Sequence, residues 1–133
     1  MWAAGRLCVF LRYFFLLDFF VFKELCVAKV IELHQFDAEV VQSLLPVVVD
    51  VFADWCGPCR MVAPVFEAAS LKMGAVCKFV KFDLEEGRDI AARYGVSSIP
   101  AFLFFNKGKL VGMSVGYKDQ RALEQEINRF FAR

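Results

Sequence analysis

Two cysteines three positions apart, Cys56 and Cys59, follow directly on the apolar run Val47-Val48-Val49-Asp50-Val51-Phe52-Ala53. The run has the length and composition of a buried strand, and the residues after Cys59 have the pattern of a helix. A strand leading into a Cys-x-x-Cys at a helix start is a redox arrangement. The helix N-terminus offers unpaired N–H groups and partial positive charge, and both favour a thiolate over a thiol. Cys56 is therefore the expected nucleophile, with Cys59 about one turn further in and more shielded. Pro58 suits the first helical turn, where a missing N–H costs little. Gly57 is expected to let the backbone turn and to leave Cys56 open to approach. A metal centre is the rival use of such a pair, but structural zinc takes four protein ligands. The other thiols, Cys8, Cys26 and Cys77, are scattered, and His34 is the single histidine, so no metal is expected.

A chain of 133 residues makes one domain with one core. The net charge of +1 and the scattered basic residues give no footprint for nucleic acid. Five cysteines, an odd count with only one close pair, fit a reducing compartment better than a disulfide-stapled secreted fold. Cys77, in an apolar stretch, has the surroundings of a small buried hydrophobe.

Residues 1–26 differ from the rest and are set apart as a hydrophobic extension to a domain over 27–133. Within them, 7–22 is almost wholly apolar, broken by Arg12 and Asp18. That is short of the roughly 20 residues needed to span a bilayer. Each charge at mid-span would cost about 2.5–3.5 kcal/mol. Three readings stand open: a start assigned too far upstream, a membrane anchor or export signal with a weak cleavage site at Cys26-Val27-Ala28, or a helix packed on the domain.

Beyond residue 27 the elements alternate. A short strand is predicted over 28–33 and a helix over 36–44, with Phe36, Val40, Val41 and Leu44 at helical spacing. After the strand at 47–53 come a helix over 58–72 that Pro64 is expected to kink, a strand over 76–82, and a short helix over 88–94 stopped by Gly95. Strands over 101–106 and 109–115 make a hairpin turning at Lys107-Gly108. Asp119 caps a last helix with an apolar stripe of Leu123, Ile127, Phe130 and Phe131. The order β-α-β-α-β-α-β-β-α predicts an α/β fold, a mixed sheet flanked by helices. Asp50 is the one carboxylate on an otherwise apolar strand. Such a group has a raised pKa and tends to be protonated, and it can take the proton from Cys59 when that thiol attacks.

The segment 50–61, Asp-Val-Phe-Ala-Asp-Trp-Cys-Gly-Pro-Cys-Arg-Met, resembles the active-site segment of the thioredoxin family. The likeness runs from about residue 27 to 133 and includes Pro64, Lys81-Phe82-Asp83, Tyr94-Gly95-Val96, Ile99-Pro100, Gly108 and Val115-Gly116. It implies the thioredoxin fold and a protein-disulfide reductase whose only redox group is the Cys56–Cys59 dithiol, without a bound cofactor. It implies Cys56 as nucleophile, Cys59 as resolving thiol, and Asp50 as proton acceptor with Lys81 as its partner. It also implies a cis bond between Ile99 and Pro100. Trp55, Val96, Ile99, Pro100, Val115 and Gly116 are implied to receive substrate, with Gly57 and Pro58 inside the reactive motif. Thioredoxin reductase, a flavoenzyme, is the implied electron donor, and disulfide-bearing proteins are the targets. A cytoplasmic monomer is the implied setting. A membrane-anchored (through residues 7–22) or exported oxidoreductase is the alternative, and a non-catalytic binding module is a third reading. Gly-Pro between the cysteines favours a reductant. Two departures stand out: Phe52 occupies a position where the family usually has tryptophan, and Tyr117 one where a smaller residue is common.

Overall fold

Five strands form one sheet in the order β1-β3-β2-β4-β5, in a computed structural model that describes residues 28–132. The strands are β1 (Lys29–Ile31), β2 (Val47–Phe52), β3 (Lys78–Asp83), β4 (Ala101–Asn106) and β5 (Lys109–Val115). β1, β3 and β2 run parallel, whereas β4 and β5 run antiparallel to their neighbours. This is the mixed sheet flanked by helices that the sequence predicts. The expectations for residues 1–26 fall outside the described residues. Among the described residues, no helix is long and apolar enough to cross a membrane.

β2 is central because its apolar run suits a strand buried on both faces. Val47, Val49 and Val51 point to one side, where they pack with Ile31, Phe36, Val40, Val80, Phe82, Leu103 and Phe105. Val48 points to the other, toward Phe79, Phe102 and Phe104. There the sheet is covered by helix α1 (Gly57–Met73) through Val62, Phe66 and Ala69, and by helix α3 (Gln120–Phe131) through Leu123 and Ile127. Phenylalanines interlock both layers: Phe66 meets Phe79 edge-on at 5.2 Å, and Phe36 meets Phe82 at 5.1 Å. Such pairs add about 0.5–1.5 kcal/mol beyond the area they bury.

The β4–β5 hairpin forms where predicted. Its two-residue turn has Lys107 at φ 51° and Gly108 at φ 75°, the paired left-handed geometry that matches strand twist. Asp119 caps α3 by accepting the Ala122 N–H at 2.7 Å. α1 runs without interruption through Pro64. Helix α2 (Arg88–Arg93) ends before Gly95, which takes φ 78°.

The first predicted helix, over 36–44, forms only in part and not as a regular α-helix. A single 3₁₀ turn at Leu33–Gln35 is followed by a π-helical stretch at Asp37–Val41. Phe36 and Val40 are the two side chains this segment buries, while Leu44, placed on the same stripe, stands 97% exposed. With two anchors four residues apart, one wide turn satisfies the packing and nothing rewards a longer helix. Leu45 begins the return instead, its carbonyl accepting from Ser43 Oγ at 2.9 Å. Cys77 is fully buried, and burial pushes its thiol up to about 12, which leaves it unreactive at neutral pH.

Candidate active site

The end of β2 delivers the chain to the edge of the sheet, and Cys56 takes the N-cap of α1 in extended conformation. The Cys59 N–H donates to Cys56 Sγ at 3.2 Å, so a helix-end N–H already points at the first sulfur. The two cysteines form a disulfide, with Cα atoms 5.3 Å apart. Both are buried, Cys56 at 5% and Cys59 at 3% exposure, so the first sulfur is only marginally the more open. Ala53 completes this small cluster, and Phe52 and Ile99 pack against it. Gly57 does not have a left-handed φ, so a forced turn is not its reason for being there. A Cβ at this position would meet nothing within 4 Å, so the space beside Gly57 itself is open.

Asp50 shares the face of Val48 by strand alternation, the face that α1 covers. It is fully buried, and neither carboxylate oxygen has a hydrogen-bond partner. Burial pushes its pKa up to about 7, against a smaller lowering by the positive charge of Lys81. Lys81 lies directly across in the β2–β3 register. Its ammonium nevertheless sits over the Phe52 ring, 4.8 Å from the centroid, and makes no hydrogen bond to Asp50.

The Ile99–Pro100 peptide is cis. It precedes β4, which antiparallel pairing places beside β2, with Val51 opposite Ala101. Ile99 thus touches the disulfide cluster across more than forty residues of chain. The Gly116 N–H donates to the Pro100 carbonyl at 2.8 Å and ties the end of β5 to the same place. Gly116 has φ 95°, a conformation that favours glycine, and a Cβ there would project into open space. Val115 is exposed, Val96 is half-buried against the neighbouring core, and Trp55 is 63% exposed. Of these residues, Ile99 packs on the disulfide cluster, Gly116 is tied to it through Pro100, and Trp55 directly precedes Cys56.

Three residues near the site were not assigned from the sequence: Glu85, Arg88 and Met61. The Trp55 indole N–H donates to Glu85 Oε1 at 3.0 Å, and Arg88 donates to both oxygens of Glu85 at 2.8 and 2.7 Å. Arg88 first, and Trp55 second, hold the Glu85 carboxyl below the usual range. Nothing in a Glu-Glu-Gly-Arg surface segment marks it as a tether; only the unpaired indole nitrogen asks for an acceptor. Met61 is exposed on α1 beside the cysteines, off the stripe of Val62 and Phe66. Among the described residues, no three His, Cys, Asp or Glu side chains come together to hold a metal.

A buried dithiol at a helix N-terminus, an unpaired carboxylate in the same layer and apolar residues beside the pair together suit thiol–disulfide exchange. The chain matches the thioredoxin family model over residues 27–129. It is 43% identical over 96 residues to the thioredoxin of Bacillus subtilis, covering 72% of this chain and 90% of that protein. It is 39% identical over 97 residues to the thioredoxin of Porphyra purpurea, covering 73% and 91%. The crystal structure of Malassezia sympodialis thioredoxin superposes with a TM-score of 0.69 at 36% identity, covering 77% of this chain and 90% of that one. The chain therefore belongs to the thioredoxin family, and its chemistry is dithiol–disulfide exchange through Cys56 and Cys59.

Proposed function

We propose that the protein works in the reducing direction, passing two electrons to the disulfides of other proteins in the cytoplasm and recovering them from thioredoxin reductase. The observation that carries this reading is the Cys-Gly-Pro-Cys pair at the start of α1, with open space beside Gly57. The Cys56 thiolate attacks one sulfur of a target disulfide. A mixed disulfide forms and the other target sulfur leaves as a thiolate. Asp50 then takes the Cys59 proton, and the Cys59 thiolate attacks Cys56 Sγ. The second target sulfur is released, and the Cys56–Cys59 disulfide is left. The target gains the two electrons that the dithiol loses. The backbone at Ile99 and the open space at Gly116 suit an extended target segment laid beside them, in the manner of strand addition.

The direction is tested by the reduction potential, measured by equilibration with glutathione buffers. A potential below about −230 mV is expected; a value near the roughly −120 mV of strong oxidases would overturn the reductase reading. The donor is tested by NADPH consumption with thioredoxin reductase and insulin.

Two further outcomes follow from the same reading. Above pH 7 Asp50 is ionised and can accept a proton; below it the carboxyl is already protonated. Single-turnover release of target thiol should therefore quicken as pH rises through about 7, and Asp50→Asn should lose that rise while keeping the initial attack. An unchanged profile in Asp50→Asn would remove Asp50 from proton transfer. Gly116→Val should raise KM for insulin several-fold, with little change in the rate on a small aromatic disulfide. It should also cost about 1–3 kcal/mol of stability, because valine is strained at a positive φ. Equal losses on both substrates would show that the groove is not where protein targets lie.

A further inference from the structure

A buried carboxylate that faces a lysine across a parallel strand pair would ordinarily make an ion pair with it. Asp50 and Lys81 do not: both Asp50 oxygens are without partners, and the ammonium rests on Phe52. The ring and the carboxylate project from β2 two residues apart on one face, so they flank Lys81 as it reaches across from β3. The ring cannot easily give way, because it is itself packed against Cys56, Cys59 and Ala53. At 4.8 Å from the centroid the ammonium is within the range in which an aromatic face attracts a cation.

The other groups around Asp50 offer no substitute for this hold. On β3, Asp83 shares the face of Lys81, and its Oδ1 accepts the Glu85 N–H at 2.9 Å. β4 presents Phe102 opposite Asp50. Beyond Phe102 on β5, Ser114 donates to Glu126 on α3, and Glu126 also pairs with Lys118. α1 contributes the uncharged disulfide. Lys81 is the charge whose field reaches Asp50.

We propose that Phe52 is a positioning residue for the exchange reaction: its ring holds the Lys81 ammonium beside the Asp50 carboxylate but off it, and so keeps the carboxylate free to receive a proton. The inference rests on the reading of Asp50 as proton acceptor. An ammonium bonded to the carboxylate would occupy the lone pairs that the Cys59 proton needs. An ammonium released to water along its four-carbon stem would leave the carboxylate without a positive neighbour.

The test is a ¹³C NMR titration of the Asp50 carboxyl in the oxidised protein, where neither active-site cysteine titrates, with the signal assigned by its absence in Asp50→Asn. Phe52→Leu keeps an apolar side chain but removes the aromatic face. It should raise the Asp50 midpoint by about half a pH unit. Lys81→Met should raise it in the same direction, and the double variant no further than Lys81→Met alone. Phe52→Trp should restore the original midpoint, and Phe52→Met serves in place of Phe52→Leu if that variant does not fold. No shift in Phe52→Leu, or a shift in either direction that persists in full without Lys81, would overturn the proposal; a downward shift that Lys81→Met abolishes would show the ammonium settling on the carboxylate once the ring is gone, the other displacement the ring prevents. The titration reads the carboxyl directly, so it stands apart from the reading on which the inference rests. A normal Asp50→Asn pH–rate profile beside the expected midpoint shifts would reject proton transfer by Asp50 and leave the hold of Phe52 on Lys81 in place.

Discussion

Replacing Cys56 with serine is expected to reduce turnover of protein disulfides to the uncatalysed background. A hydroxyl at the N-cap of α1 still accepts the Cys59 N–H, so the helix start and the fold should survive. What disappears is the thiolate, since serine is not ionised at neutral pH and no base stands ready to activate it. Cys59 is not expected to take over, because it lies inside the first turn and lacks the N-cap position at which a helix-end N–H points at the sulfur. Cys59→Ser should behave differently. Cys56 would still attack, but the mixed disulfide would have no second thiol to resolve it and should accumulate as a covalent adduct with target protein. Non-reducing electrophoresis and intact mass distinguish the two variants. Adduct formation by Cys56→Ser, or steady turnover by Cys59→Ser, would reverse the assigned roles.

Asp50→Asn is expected to make the oxidised protein more stable at pH 8 and to confer little advantage at pH 4. The carboxyl has its midpoint at about 7 in the folded chain and near 3.8 when unfolded. Below the lower value both states are protonated and the acid costs nothing extra. Between the two values the folded protein holds a proton that the unfolded chain has released. Stability therefore falls as pH rises through this window, and the loss is complete above about 7. At about 1.36 kcal/mol per unit, the full effect is on the order of 4 kcal/mol. Asparagine is neutral throughout, but its amide would need hydrogen-bond partners that this site lacks, so a net gain of about 2–3 kcal/mol at pH 8 is the expected result. Urea unfolding of both proteins at pH 4 and pH 8 measures it. A gain of the same size at both pH values would show that it comes from packing and not from the removed charge.

The parts of the fold that were legible in the chain are those where local chemistry and global packing agree. β2 is an apolar run that the sheet buries on both faces, and the β4–β5 hairpin has its turn at Lys107-Gly108, where two left-handed residues are needed. The segment at 36–44 misled because four apolar residues at helical spacing predict a stripe, while Phe36 and Val40 are buried, Val41 only partly packs on the core and Leu44 stays exposed. The same distinction runs through the site. The burial of Asp50 could be anticipated, since a single carboxylate in a row of valines has no route to water. The Trp55–Glu85–Arg88 tether could not, because exposed charges meet partners that depend on how loops lie after folding. Lys81 falls between these cases. Its strand was readable and the family resemblance implied Asp50 as its partner, but the choice between a carboxylate and an aromatic ring is settled by side-chain geometry.

The pairing of β2 with β4 has a consequence during synthesis. Cys56 and Cys59 leave the ribosome well before residues 99–105, and only those later residues lay β4 along β2 and bring Ile99 to the disulfide cluster. A ladder between segments some fifty residues apart must close a long loop before it is rewarded, so it forms late. Until then Asp50 lacks its cover of Phe102. A nascent chain therefore exposes its two thiols before Ile99 is in place beside them. The surroundings of the reactive pair are thus inherited from the completion of the sheet and not from the pentapeptide alone.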